Sequence, residues 1–292
     1  MIIKPNLFIV GAAKSATSSI WKILKQHPKI WMPEDELNKE PYFFTNYNKN
    51  MSCNDYLKIF ANANKSHKYI GEASANYLSD PLSAIKIFQF NPHSKIIIIL
   101  RSPVDRAYSL YNWMVQEGYE YAPSFEKALE LEHTRTKKQI PNFFEPENYW
   151  SYMYFSSGLY YDQVKRYIDL FGENVLVINF KQFIQETKSV YQKIIYFLQL
   201  QYIPVEYNVY NKSVSTIHPI FPFLSRKIIN ITNRLYNYKT KAFRDIPLKL
   251  FIINKPPKRI NDLTKKILQN MYMKDIVKLR DYLNMDFSDW LT

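Results

Sequence analysis

Four short apolar runs punctuate the chain: LFIV (7–10), YIGE (69–72), KIIIIL (95–100) and NVLVINF (174–180). KIIIIL is the clearest. It is continuous and branched, as expected of a strand covered on both faces. Longer stretches between the runs repeat apolar residues every three to four positions. Val164, Tyr167, Ile168 and Phe171 do so before Gly172, and Tyr272, Ile276, Leu279 and Leu283 do so near the C-terminus. Another helix is predicted from about Thr17, stopping near His27-Pro28. Strands alternating with helices predict an α/β fold, a parallel β-sheet flanked by helices, in a single domain over residues 1–292. Residues 204–258 are Pro-spaced and basic and follow neither period. They are read as an irregular or helical insert packed on that core.

Composition narrows the class. With 292 residues, 47% of them hydrophobic, the chain can bury a substantial core. No stretch approaches the roughly 20 apolar residues of a membrane span. The N-terminus is briefly apolar, but Pro5 interrupts it and no small-residue cleavage site follows, so it reads as a strand and not a signal peptide. One cysteine, Cys53, excludes an intrachain disulfide and a cysteine-built zinc site, and fits a reducing cytoplasm. The net charge of +13 is uneven: residues 221–260 hold ten bases and one acid, Asp245, a net of +9. Such a patch attracts an anionic substrate, a lipid surface or a nucleic acid. The plain alternative is a solvated basic face.

The first chemical signal is GAAKSATSS, residues 11–19, between the first strand and the first helix. A helix start offers unpaired N–H groups and the positive end of a dipole, so it attracts anions. Lys14 adds a cation, and Ser15, Thr17, Ser18 and Ser19 add hydroxyls. An ordinary Ser/Thr cap beside a surface lysine would look similar. The loop is P-loop-like without being a nucleotide-triphosphatase motif, which needs GxxxxGK[ST]. Nor does KIIIIL lead into a magnesium-binding aspartate. It leads into Arg101, which suits a phosphate and repels a metal. No metal site is expected. Arg101 opens RSPVDRAYSLY (101–111), with Pro103 placed for the first turn of a helix and Ser109 about two turns in. Ligands of parallel α/β sheets gather outside the carboxyl ends of the strands. Gly11 and Arg101 should therefore face one crevice, which suits a ligand with phosphates at both ends.

These motifs, in this order, resemble the sulfotransferases that use 3′-phosphoadenosine 5′-phosphosulfate (PAPS), and among them the glycan-modifying, heparan sulfate-type and bacterial branch. GAAKSATSS resembles the 5′-phosphosulfate loop and LRSPVDRAYSLY the 3′-phosphate motif. SGLYYDQVKRYIDLFGENVLVINF (157–180) and YMKDIVKLRDYLNMDFSDW (272–290) resemble the family's later helix, strand and C-terminal helix. The resemblance implies that Lys14 touches the leaving phosphate and the sulfuryl group. It implies that Ser15, Ala16, Thr17 and Ser18 wrap the 5′-phosphate, and that Arg101 and Ser109 hold the 3′-phosphate. Ala16 departs from the family, which often has glycine there; alanine fits if the residue keeps a helical φ. The loop Lys212–His218 is a weaker match to a segment closing over the nucleotide.

The resemblance also points to the base. The histidine of the family's small-molecule branch would fall in GEASANYL (71–78), which has none. The glutamate of the glycan branch matches Glu40 in KEPYFF (39–44). The bland reading of Glu40 is a surface carboxylate paired with Lys39. Burial beside Tyr42, Phe43 and Phe44 would raise its pKa and suit it to general-base work. Glu72 is the alternative carboxylate, but Ala73 follows it where the glycan branch often has lysine. The expected activity is sulfuryl transfer from PAPS to a hydroxyl or amine of a glycan or small-molecule natural product, leaving 3′,5′-adenosine bisphosphate. Trp113, Tyr119, Trp150, Tyr154 and Tyr160 are candidates to line the acceptor cleft. Two other readings remain: a basic nucleic-acid or anionic-surface binding protein on this scaffold, opposed by the lack of any nucleic-acid motif, and a P-loop kinase, opposed by the missing magnesium ligands.

Overall fold

The apolar runs become parallel strands in the computed structural model, which describes residues 4–45, 51–135, 152–207, 215–216, 218–227, 252–253 and 258–291. In chain order the principal elements are β1 (Leu7–Gly11), α1 (Thr17–Leu24), β2 (Ile30–Trp31), α2 (Glu36–Lys39), α3 (Cys53–Lys58), β3 (Tyr69–Glu72), α4 (Ser83–Phe90) and β4 (Lys95–Leu100). They continue with α5 (Pro103–Gln116), α6 (Phe125–Glu132), α7 (Tyr160–Phe171), β5 (Val175–Asn179), α8 (Phe180–Gln185) and α9 (Thr187–Phe197). The five strands form one sheet in the order β2-β3-β1-β4-β5, and every pairing is parallel. Ile96–Leu100 pair in unbroken register with Val175–Asn179. The β1–β4 register shifts between Ile9 and Gly11, where the chain leaves the sheet.

Side chains alternate across the strands, so both faces need cover. On one face Leu7, Ile9, Ile97, Ile99, Leu176 and Ile178 share a buried cluster with Ile20, Trp21 and Leu24 of α1 and with Val190, Ile194 and Ile195 of α9. On the other, Phe8 meets Phe44 edge-on at 5.7 Å, and Phe88 of α4 meets Phe171 of α7 at 5.4 Å. Each fully buried large side chain contributes roughly 1.5–3 kcal/mol. α1 ends at Leu24 and not at His27. The buried His27 ring is occupied elsewhere, with Nδ1 accepting from the Lys29 amide at 3.1 Å and Nε2 facing the Gln201 carbonyl at 3.0 Å. β5 likewise stops at Asn179, whose side chain caps α8 by accepting from the Lys181 amide.

The contacts separate into two compact units, where the pattern predicts a single domain. The first, Met1–Arg101 with Tyr160–Tyr210, holds the whole sheet, α1–α4 and α7–α9. The second, Ser102–Leu159 with Asn211–Thr292, holds α5, α6 and the C-terminal helix Asp262–Leu283. At its core Glu120 takes both guanidinium arms of Arg135 at 2.7 Å and the Tyr154 hydroxyl at 2.6 Å. Tyr272, Ile276 and Leu279 of the C-terminal helix are buried as their spacing predicts. Within the predicted insert, residues 220–227 are helical. Ser215–Thr216 also pair antiparallel with Ile252–Ile253, a ladder too short to leave a periodic signal.

Candidate active site

The loop from Gly11 to Ala16 leaves β1 at its carboxyl end. Gly11 sits at φ 148°, and a Cβ there would lie 2.7 Å from both the Ala75 carbonyl and the Leu78 Cβ, so only glycine fits. Lys14 and Ala16 both adopt left-handed backbone, at φ 67° and 66°. The helical φ expected of Ala16 is therefore not what the chain adopts. The chain must reverse sharply to enter α1, and the family's usual glycine meets that need without strain. Ala16 is also the N-cap of α1, where no side chain caps the helix and no acid stands in its first turn. The first amides of α1, at Thr17 and Ser18, lack an intrahelical acceptor and a side-chain cap, while the Ser19 amide donates to the Ala16 carbonyl at 3.0 Å. Ser15 Oγ is buried and has no hydrogen-bond partner among the described residues. A buried hydroxyl normally finds a partner, so these features together fit an anion.

Arg101 stands at the end of β4, beside that loop. Its guanidinium donates to the Lys14 carbonyl at 3.2 Å and lies over the Phe180 ring at 4.9 Å. The buried Tyr160 hydroxyl donates to the Arg101 carbonyl at 3.1 Å. Gly11 and Arg101 thus share one edge of the sheet, with the Arg101 guanidinium against the backbone of the loop.

A carboxylate pair lies next to this edge. The Ala73 amide donates to the Lys39 carbonyl at 2.9 Å, tying the end of α2 to the end of β3. Glu40 follows. Its Oε1 lies 2.8 Å from Lys39 Nζ, and its Oε2 accepts from the Tyr42 hydroxyl. The ion pair of the bland reading is therefore real, but Lys39 is buried. Of the aromatic block, only Tyr42 reaches Glu40; Phe43 and Phe44 do not enclose it as expected. Phe43 stacks on Tyr56 at 4.3 Å and Phe44 packs edge-on against Tyr56 and Tyr77, so these rings wall in Glu72. The Glu72 carboxyl is fully buried and accepts from Ser74 Oγ at 2.5 Å, Tyr56 at 2.6 Å and Tyr77 at 3.1 Å. Its pKa is raised to about 7 because burial outweighs the downward pull of those hydroxyls, and the Glu40 charge adds a smaller upward push.

The sequence matches the sulfotransferase domain family over residues 4–233. The chain belongs to the sulfotransferase domain family. It is 32% identical over 114 residues to the membrane-associated sulfotransferase kil1 of Dictyostelium discoideum, covering 38% of this chain and 23% of that protein. It is 31% identical over 110 residues to the human bifunctional heparan sulfate N-deacetylase/N-sulfotransferase 1, covering 37% of this chain and 12% of that protein. The matches thus span less than a quarter of these relatives' length. Among solved structures, a sulfotransferase from Alicyclobacillus acidocaldarius superposes with a TM-score of 0.69 at 26% identity, over 100% of both chains. The α/β fold and the transferase class expected from sequence both hold. Membership in this family does not favour the reading as a non-catalytic basic binding protein.

Within this member of the family, Lys14, Ser15, Ala16, Thr17 and Ser18 form one loop and helix start, with Arg101 against it. Ser109 lies half-buried on α5, in the second unit. Of the aromatic candidates, Tyr154 and Tyr160 are core residues with buried rings. Trp113 and Tyr119 are half-buried and pack on each other at 6.2 Å. Trp150 lies outside the described residues, as do Lys212–Val214 and Ile217 of the expected closing loop. Lys39 is the residue that sequence reasoning undervalues. Its only signal is adjacency to Glu40, and its bond to Ser18 Oγ at 2.7 Å spans 21 residues.

Proposed function

We propose that the chain moves the sulfuryl group of PAPS to a hydroxyl or amine of a glycan or small-molecule natural product. The observation that carries this reading is the uncapped start of α1, with the orphaned Ser15 hydroxyl inside it and Arg101 beside it. Ser15, Ala16, Thr17 and Ser18 bind the 5′-phosphate through amides and hydroxyls. Lys14 neutralises charge gathering on the departing phosphate oxygen. Arg101 grips the 3′-phosphate, with Ser109 assigned to it by sequence position. Sulfuryl transfer resembles phosphoryl transfer, so positioning and cations do most of the work. The acceptor oxygen or nitrogen bonds to sulfur, the bond from sulfur to the 5′-phosphate oxygen breaks, and Glu40 takes the acceptor proton. General-base help of this kind is worth roughly 10²–10⁴-fold. No helix among the described residues is long and apolar enough to cross a membrane. A cytoplasmic setting belongs to the same proposal and is supported by the lone, exposed Cys53. Peripheral contact with an anionic surface through the basic segment 221–260 belongs to the same proposal and is supported by its net charge of +9.

The test is radiolabel transfer from sulfur-labelled PAPS to a desalted extract of the producing organism, with mass spectrometry to find products that gain a sulfuryl group. The wild type should label discrete acceptors and Lys14→Ala should not. Equal labelling by Lys14→Ala, or none by the wild type, would sink the reading.

A further inference from the structure

Lys39 is buried, with 6% of its surface exposed, yet it is not merely sealed in an ion pair. Its Nζ makes two polar contacts, 2.8 Å to Glu40 Oε1 and 2.7 Å to Ser18 Oγ, and lies 5.9 Å from the centroid of the Trp21 ring. A lysine ammonium only donates, so Ser18 Oγ must accept from it. The Ser18 O–H proton is then left to point at some other acceptor, and Ser18 stands in the first turn of the uncapped helix α1. The second contact holds one oxygen of Glu40 while the Tyr42 hydroxyl holds the other. The Lys39 backbone is fixed as well, through the Ala73 amide at the end of β3. A buried lysine is costly unless fully partnered. The Glu40 and Ser18 contacts occupy two of the three ammonium donors, and the Ser18 contact is the one that reaches across 21 residues to the phosphate loop.

We propose that Lys39 is a positioning residue that ties the Glu40 carboxylate to the phosphate loop, so that the proton acceptor and the donor-binding hydroxyl of Ser18 are set by one cation. The proposal rests on the reading of Glu40 as the base. The adjacent residues Lys39 and Glu40 then work together. Glu40 faces the incoming acceptor, and Lys39 keeps it at a constant reach from the departing group. A misplacement of about 1 Å at such a site is enough to cost roughly 10²-fold in rate.

The test is a double-variant cycle read in two ways. Initial rates of radiolabel transfer from PAPS to the same extract measure turnover, and calorimetry with 3′,5′-adenosine bisphosphate measures the donor site. Lys39→Met keeps the apolar stem and removes the donors. It should slow transfer about 10–100-fold and weaken bisphosphate binding roughly 2–10-fold, the worth of one hydrogen bond. In a Glu40→Gln background Lys39→Met should cost less than about 2-fold more in rate, because both act through the same carboxylate. Its effect on bisphosphate binding should persist there, because that runs through Ser18. Lys39→Arg, which keeps the cation, should recover part of the rate and serves in place of Lys39→Met if that variant does not fold. Full additivity of the two losses, or unchanged bisphosphate affinity in Lys39→Met, overturns the proposal while leaving Glu40 as base. Near-normal transfer by Glu40→Gln alone overturns the base assignment and this proposal with it.

Discussion

Ala16 holds φ 66° and ψ 23° at the entry to α1, a conformation that costs a residue with a Cβ about 1–2 kcal/mol. Ala16→Gly removes that strain and adds freedom to the unfolded chain, worth about 0.4–1 kcal/mol the other way. The net effect should be a rise in melting temperature of about 1–3 °C, with bisphosphate affinity unchanged. A fall in melting temperature would show that the left-handed geometry is not strained. The departure from glycine is visible in the sequence, but the backbone angle that gives it meaning is not. Composition does not report φ, and GAAKSATSS can be written equally onto a helical or a left-handed entry. Lys14, Ser15 and Arg101 can be nominated because their residue types and strand-end positions already imply anion chemistry. Lys39 cannot, because its second partner, Ser18, is 21 residues away.

At the scale of elements, the end of β3 and the aromatic block after α2 form one device around Glu72. The folded carboxyl, at about 7, lies above its ordinary value of 4.5. A carboxyl raised on folding contributes stability that is fully present below about pH 4.5 and is lost as pH rises through about 7. The loss is on the order of 3 kcal/mol. Glu72→Gln imitates the protonated form at every pH. Its melting temperature relative to the wild type should therefore climb between pH 5 and pH 8; a difference that stays flat across this range contradicts the assignment. Sequence reasoning places Glu72 correctly at a strand end but aims the desolvating rings at Glu40. Tyr42, Phe43 and Phe44 follow close after Glu40 in the chain, but only Tyr42 stays with Glu40, whereas Phe43 and Phe44 wall in Glu72 through Tyr56 of α3 and Tyr77. Strand existence is readable wherever branched apolar runs exceed four residues, as in KIIIIL. The two-residue β2 and the ladder of Ser215–Thr216 with Ile252–Ile253 are too short to carry a period.

For the whole molecule, one parallel sheet presents the ends of β1, β3 and β4 along a single edge, and each end carries chemistry: the phosphate loop, Glu72 and Arg101. Alternating strands and helices are enough to read that class from sequence, because the sheet is covered on both faces. The division into two compact units is not readable, since no linker-like composition marks the change at Arg101. The central claim is that this edge binds a nucleotide carrying a 3′-phosphate and a 5′-phosphate. Isothermal titration calorimetry measures it without any knowledge of the acceptor, using 3′,5′-adenosine bisphosphate, 5′-AMP and ATP against the wild type and Arg101→Ala. The bisphosphate should bind the wild type more tightly than either comparison nucleotide, and at 100 times its dissociation constant it should add about 2.7 kcal/mol of stability. Arg101→Ala should erase the advantage over 5′-AMP while leaving 5′-AMP affinity nearly intact. Equal binding of ATP and the bisphosphate by the wild type, or a bisphosphate preference that survives in Arg101→Ala, would contradict the account.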